Sequence, residues 1–166
     1  MKKILMLLIL FGSFTGFSQS NDEAEAKKVV TDFFDAFHKQ DSVALRTLAH
    51  PTIKMQSIGA NAEGKVQVST MPYGNFLKSI ISIPATTTFE EKLHSYNIQV
   101  NGPLAQVVTE YSFWMNEKLS HCGVNSFTLV KEDQNWKIVY LIDTRKKEGC
   151  TGKELEIKSV PFSKQN

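Results

Sequence analysis

The sequence lacks the short motifs that mark several common enzyme classes. It contains no Gly-rich phosphate loop, no pair of histidines at metal-ligand spacing and no Gly-x-Ser-x-Gly elbow. These absences argue against phosphoryl transfer, zinc-dependent hydrolysis and serine-hydrolase chemistry. The four histidines are scattered along the chain, at His38, His50, His94 and His121. The sequence therefore predicts no metal site and no cofactor.

The chain also lacks a marked excess of charge of either sign. Lysine and arginine together number 19, and aspartate and glutamate together number 17. The formal net charge of +2 falls to zero if Lys2 and Lys3 are removed with a leader peptide. Because binding to a nucleic-acid backbone needs clustered positive charge, nucleic acid is not an expected partner.

No apolar run reaches the length of about 20 residues that a membrane span needs. The apolar run at residues 4–11 follows two lysines and precedes the small residues Gly16 and Ser18. This order is typical of a secretory signal peptide. We expect cleavage after Ser18, so that residues 1–18 are a signal peptide and the mature chain is periplasmic or secreted. No cysteine follows the cleavage site closely, so no stable membrane anchor is expected.

Cysteine is scarce, since Cys122 and Cys150 are the only two in the chain. Disulfides persist in the oxidising compartments that exported proteins reach. A hairpin with its turn at residues 132–135 would place Cys122 opposite roughly residue 145, from which the chain could turn back. We therefore favour a Cys122–Cys150 disulfide, and the alternative is a pair of unpaired thiols with Cys122 half buried in the sheet.

The first half of the chain shows helical patterns. Apolar residues at a spacing of three and four predict a first helix over residues 22–39. Asp41 is a suitable N-cap for a short second helix that ends at His50, because Pro51 disfavours helical geometry in the residue before it. Pro72 can begin a third helix at its first turn.

The second half of the chain is strand-like. Strands are predicted at residues 53–58, 87–100, 105–115, 119–131 and 136–144. Residues 59–68 are expected to form a loop or an irregular hairpin. Helices followed by antiparallel strands predict an α+β fold with a curved sheet wrapped on helices. We expect one domain over residues 19–150, followed by a polar C-terminal tail at residues 151–166.

Several short strings resemble members of the nuclear transport factor 2-like superfamily. They are AFHKQDSVAL at 36–45, LAHP at 48–51, YSF at 111–113, HCGV at 121–124, WKI at 136–138 and DTR at 143–145. Together they look like the exported bacterial branch that is labelled SnoaL-like or lumazine-binding. The resemblance implies a cone-shaped cystatin-like roll, in which a curved, mainly antiparallel sheet packs on three N-terminal helices. Its members include isomerases, dehydratases, cyclases and plain binding proteins, so the fold does not decide the function.

The resemblance also implies a mostly apolar pocket with a few polar groups at the open end of the cone. The candidate ligand-binding residues are His50, Tyr111, Trp114 and Arg145. His50 precedes Pro51 at a position that often faces the cone in related folds, where it could exchange a proton with a ligand. A helix C-cap is an equally good interpretation of His50. The plentiful aromatic residues suit a small, partly apolar ligand.

Asp143 and His121 are the candidate catalytic residues. Asp143 ends a hydrophobic strand, where apolar surroundings would raise the pKa of a carboxyl group; the alternative is a structural ion pair with Arg145. His121 lies near Gly123, which leaves space for a ligand, and the alternative is a core histidine with its hydrogen bonds satisfied. With a two-residue turn, Asp143, Arg145 and Cys122 share one sheet face and His121 lies on the other. A bulge would reverse this arrangement.

Three functions are compatible with these features. The leading hypothesis is an exported small-molecule-binding protein with an aromatic-lined pocket. The alternative is a cofactor-independent acid–base enzyme, an isomerase, dehydratase or cyclase, that uses Asp143 or His121 while His50 or Tyr111 polarises the substrate. The third is a protein-interaction module. The outer sheet face is also a candidate surface for a homodimer.

Overall fold

Three helices and seven strands make up the computed structural model, which describes residues 16–150. The elements in chain order are α1 (Gly16–His38), α2 (Ser42–Leu48), β1 (Ala49–Ala60), β2 (Val66–Met71), α3 (Tyr73–Ile81), β3 (Phe89–Leu93), β4 (Asn97–Asn101), β5 (Leu104–Met115), β6 (Lys118–Glu132) and β7 (Asn135–Thr144). The predicted α+β class is confirmed. The predicted tail lies outside the described residues, as does the predicted signal peptide apart from residues 16–18, where α1 begins. Among the helices described, none has both the length and the apolar character required to cross a membrane.

The strands form one curved sheet in the order β2-β1-β7-β6-β5-β3, with β4 also paired to β5. β1 and β7 run parallel, whereas the other pairs of the described sheet are antiparallel. The prediction of one strand over residues 87–100 was wrong. That segment divides into β3 and β4 because β3 pairs with residues 111–115 of β5 and β4 pairs with residues 104–108.

The segment expected as a loop or irregular hairpin, residues 59–68, contains the end of β1, a regular turn and the first half of β2. β1 extends to Ala60 and pairs antiparallel with β2. The side chain of Asn61 accepts hydrogen bonds from the backbone N–H groups of Glu63 and Lys65, which closes the turn. All six residues of β2 are exposed, so the strand has no buried face to produce an alternating apolar pattern.

An aromatic cluster joins the helices to the sheet. Phe127 of β6 is fully buried, and its ring centroid lies 5.6 Å from that of Phe33 and 5.8 Å from that of Phe34 on α1. Phe76 of α3 stacks on Phe33 at 6.1 Å. Phe33, Phe37, Leu45, Ile80, Phe127 and Ile138 are buried, whereas Leu48 and Phe76 are partly buried. Phe76 keeps some exposure because it lines a cavity.

The short helix α2 depends on its predicted N-cap. Asp41 Oδ1 accepts hydrogen bonds from the backbone N–H groups of Val43 at 3.1 Å and Ala44 at 2.9 Å. We expect Asp41→Ala to lower the free energy of unfolding by about 1 kcal/mol, because these donors lose their acceptor. Urea denaturation measures the change. Asp41→Asn keeps an acceptor and should change stability by less than about 0.5 kcal/mol; an equal loss in both variants would contradict a capping role.

The predicted disulfide is present in the structure, with a Cα–Cα distance of 5.7 Å between Cys122 and Cys150. The two-residue turn is also as predicted, and Asp133 and Gln134 both have positive φ angles, of 47° and 65°. The backbone of Cys122 pairs with Lys146 rather than with residue 145. One extra residue in β7 causes this difference.

That extra residue is Val139, which forms a β-bulge. Thr128 pairs with Tyr140 while the next residue of β6 pairs with Ile138, which leaves Val139 without a partner. Every pair beyond this bulge, towards the end of β7, is therefore shifted by one residue. Side chains of β6 and β7 that were expected on opposite faces of the sheet lie on the same face. The face assignment made from the sequence was wrong. His121 lies on the inner face with Asp143, and the backbone alternation places the intervening Cys122 on the outer face.

Candidate functional site

A cavity of about 830 Å³ lies between the helices and the sheet. This volume is in the range of small-molecule sites, which is roughly 300–1,000 Å³. Its helix side is mainly apolar and includes Phe33, Phe34, Phe37, Phe76 and Ile80. Its sheet side carries the polar residues Ser57, Glu91, Tyr111, His121, Asn125, Asp143 and Arg145. The cavity thus combines an aromatic wall with one polar wall.

Asp143 lies in the middle of the polar wall and is 8 % exposed. Sheet register places Ser57 of β1 on one side of it and Asn125 of β6 on the other. The Ser57 hydroxyl donates to Asp143 Oδ1, and Arg145 Nε donates to Oδ2 at 2.7 Å. The ion pair that the sequence suggested is therefore present, and it compensates the charge of the buried carboxylate.

Tyr111 is buried beside Asp143. Its hydroxyl donates to the Thr144 carbonyl oxygen at 3.0 Å and lies 3.3 Å from Asp143 Oδ2. Burial, followed by the negative charges of Asp143 and Glu91, raises the pKa of Tyr111. The phenol is therefore a stable hydrogen-bond donor. Gly123 lies opposite Tyr111 on β6, and the absence of a side chain there lets the Thr144 carbonyl approach.

Glu91 is a member of the polar wall that the sequence analysis missed. Phe89, Glu91 and Leu93 alternate on the inner face of β3, and the two apolar residues pack against the core. Asn125 Nδ2 donates to Glu91 Oε1 at 2.7 Å. The Glu91 backbone N–H donates to Nε2 of His38 at 2.9 Å, which fixes this part of β3 against α1. A glutamate between two core-facing strand residues was the available sequence signal.

The surroundings of Glu91 favour its neutral form. Burial is the main cause that raises the pKa of Glu91 to about 7, and the negative charge of Asp143 adds to it. The hydrogen bond from Asn125 and the positive charge of Arg145 act in the opposite direction. At neutral pH, Glu91 is therefore present both as a hydrogen-bond donor and as a base.

His121 lies in the same cavity, where its ring stacks on Phe113 at 4.8 Å and meets the edge of Tyr111 at 5.8 Å. Burial and then the positive charge of Arg145 lower the pKa of His121, whereas Asp143 opposes this effect. The imidazole is therefore mainly neutral at pH 7. The structure thus brings together four of the six residues that were predicted to be catalytic or ligand-binding. They are His121, Tyr111, Asp143 and Arg145.

His50 is not among the residues that line the cavity. It lies in β1 rather than at the end of a helix, because α2 ends at Leu48. Its Nδ1 is 2.7 Å from Thr52 Oγ1, and its Nε2 is 3.4 Å from Glu132 Oε2. The start of β1 pairs with the start of β7, whereas Asp143 lies near the end of β7. His50 and Asp143 are therefore at opposite ends of the same strand pair.

Trp114 is also outside the cavity lining. Phe113 faces the cavity, so the next residue of β5 faces the other side of the sheet. There Trp114 Nε1 donates to Ser112 Oγ at 3.0 Å, and Lys92 Nζ lies 5.1 Å from the Trp114 ring centroid. Trp114 therefore belongs to the outer face of the sheet.

Within residues 16–150, no group of three or more histidine, cysteine, aspartate or glutamate side chains is placed to hold a metal ion. The polar residues that line the cavity offer hydrogen bonding and proton exchange. Their donors and acceptors come from carboxyl, phenol, imidazole, amide and guanidinium groups.

Residues 21–141 match the sequence family described as "Putative lumazine-binding". The chain belongs to this family. It also has the nuclear transport factor 2-like fold, as the resemblance implied. No curated protein matches the chain.

Solved structures share this fold at low sequence identity. An NTF2-like protein of unknown function from Pseudomonas putida KT2440 is 13% identical, with a TM-score of 0.61 over 82% of this chain and 94% of that one. A protein from Streptomyces avermitilis described as a putative NTF2-like dehydratase is 17% identical, with a TM-score of 0.58 over 76% and 97%. A protein with a cystatin-like fold from Nostoc punctiforme is 11% identical, with a TM-score of 0.60 over 78% and 94%. These similarities concern the fold alone.

Proposed function

We propose that the protein is an exported small-molecule-binding protein whose ligand occupies the cavity between helices and sheet. The observation that carries this proposal is the combination of an aromatic helix wall with a polar sheet wall around about 830 Å³. Such a site suits a ligand with an apolar body and one polar end. The family description supports binding of a small organic molecule.

Export is supported by the order of charged, apolar and small residues in positions 1–18. The Cys122–Cys150 disulfide agrees with an oxidising compartment. We propose that the mature protein begins near residue 19 and works in the periplasm or outside the cell, as one domain followed by the tail at residues 151–166. A homodimer through the outer sheet face stays a prediction.

Native mass spectrometry of the protein recovered from its own cells tests both parts of the proposal. We expect a chain without residues 1–18 that carries a small organic molecule. In Ser69→Trp the new ring would occupy the cavity mouth, because Ser69 lines the cavity from β2. We therefore expect this variant to lose the molecule while its thermal unfolding is unchanged.

Val68→Trp is the matched control, because Val68 is the preceding residue of β2, is exposed and does not line the cavity. This variant should keep the ligand. If Ser69→Trp keeps as much ligand as Val68→Trp, the cavity is excluded as the binding site. An intact N-terminus on the recovered protein would contradict export with cleavage.

A second candidate function is a cofactor-independent acid–base enzyme. It is favoured by the shared location of Glu91, Tyr111, His121 and Asp143 on one cavity wall. The description of the Streptomyces avermitilis relative as a putative dehydratase agrees with this alternative. Chemical conversion of the recovered molecule by the wild type, but not by Asp143→Asn or His121→Ala, would favour the enzyme over the binding protein.

A further inference from the structure

The two carboxyl groups of the cavity differ in how far their hydrogen-bonding capacity is used. A carboxylate offers about four acceptor positions. Asp143 accepts from Ser57 and Arg145, and the Tyr111 hydroxyl lies within reach of its Oδ2. Asp143 is therefore held by the protein itself and has little capacity left for a ligand.

Glu91 is engaged through one oxygen only. Asn125 donates to Oε1, and in the described part of the chain no hydrogen bond reaches Oε2. Oε2 is also not fully buried. It therefore remains accessible from the cavity that Glu91 lines. Because Asn125 fixes the orientation of the carboxyl group, a proton on Oε2 would point to a bound molecule rather than to the protein.

We propose that Glu91 recognises a carbonyl oxygen of the ligand by donating a hydrogen bond from its protonated carboxyl group. This inference rests on the proposed small-molecule function and specifies the ligand class. The class is a neutral, largely apolar carbonyl compound, such as an aromatic or alicyclic ketone. The aromatic helix wall binds its body, and Glu91 supplies the hydrogen bond to its polar end.

The charged and titratable groups around Glu91 come from four elements and the segment after β7. His38 of α1 accepts from the Glu91 backbone, Tyr111 of β5 and His121 of β6 line the same wall, and Asp143 of β7 with the following Arg145 forms an ion pair. That ion pair leaves no net charge to attract an anion deep in the cavity. A neutral acceptor is therefore favoured over a carboxylate.

The protonation of Glu91 makes the proposal measurable. With a pKa of about 7, the carboxyl group is roughly nine-tenths protonated at pH 6 and one-tenth protonated at pH 8. A ligand that needs the protonated form should bind about tenfold more weakly at pH 8 than at pH 6. A molecule held only by apolar contacts should show no such change.

The experiment measures the binding of two naphthalene compounds by isothermal titration calorimetry at pH 6 and pH 8. The probes are 1-acetonaphthone, which carries a ketone, and 1-ethylnaphthalene, which has a similar shape without the oxygen. We expect the wild type to bind the ketone more tightly at pH 6, with a roughly tenfold loss at pH 8, and to bind the hydrocarbon equally at both. In Glu91→Gln, an amide that cannot titrate replaces the acid, so binding of the ketone should become independent of pH.

Glu90→Gln is the control, because Glu90 is the neighbouring residue, its side chain is 57% exposed and it lies 3.5 Å from Lys92 on the other side of β3. This variant should behave like the wild type. A pH dependence that persists in Glu91→Gln would overturn the proposal and assign the effect to another group such as His121. Equal, pH-independent binding of both probes by the wild type would overturn the role of Glu91 but leave the binding function standing. Failure of the wild type to bind either probe would count against the role of Glu91 and also against the small-molecule-binding function.

Discussion

Replacing Gly123 by alanine is expected to lower the free energy of unfolding by about 3 kcal/mol. A Cβ atom at this position would overlap the backbone carbonyl oxygen of Thr144 and would lie 3.0 Å from Cε1 of Tyr111. The first neighbour is backbone, so the conflict cannot be relieved by rotating a side chain. The end of β7 would have to move, and with it the residues that hold Tyr111 and Asp143.

Thermal denaturation should show this loss as a decrease in Tm of roughly 6–12 °C for a domain of this size. Gly59→Ala is the matched control, because Gly59 is also a strand glycine and a Cβ there would meet nothing within 4 Å. Its Tm should stay within about 2 °C of the wild type. Equal stability of the Gly123 and Gly59 variants would show that β7 does not approach β6 as closely as the structure describes.

Removal of the disulfide is expected to have a similarly large effect. Cys122 and Cys150 are separated by 28 positions in the chain, and a cross-link that closes a loop of this size contributes about 3–4 kcal/mol by restricting the unfolded chain. The double variant Cys122→Ser, Cys150→Ser should lose this amount in urea denaturation. The wild type should lose the same amount when a reductant is added.

The double variant is its own control, because the reductant should leave its stability unchanged. A loss below about 1 kcal/mol in the variant would contradict a stabilising role for the bond. The disulfide also fixes the segment that follows β7, in which Arg145 binds Asp143. Weaker ligand binding by the double variant at a temperature where it stays folded would show that the cavity depends on this connection.

The presence and order of the helices could be predicted because their signals are local, although α1 begins at Gly16 rather than at residue 22 and α2 ends at Leu48 rather than at His50. The apolar spacing of α1, the cap at Asp41 and the effect of Pro51 act between residues that are close in the chain. The hairpin turn at Asp133 and Gln134 was predictable for the same reason. β2 was not predicted because none of its residues is buried, and burial produces the pattern that reveals a strand.

The candidate site could be predicted only in part. Asp143, His121, Tyr111 and Arg145 were recognised from their residue types and strand positions, and the cavity contains all four. Glu91 was not recognised, because its burial comes from residues of α1, β5, β6 and β7 that are distant in sequence. The alternation of Phe89, Glu91 and Leu93 was the one local signal, and it does not by itself show that Glu91 is buried beside other polar groups.

The sequence by itself determined the type and order of most elements, the disulfide partners and the α+β class. Periodicity, capping and the presence of only two cysteines do not depend on how the elements pack. Only the tertiary structure decided which polar residues meet. A single bulge at Val139 reverses the relative faces of β6 and β7 and brings His121 to the side of Asp143. Whether a strand admits one extra residue depends on packing across the whole sheet, which no short segment of sequence contains.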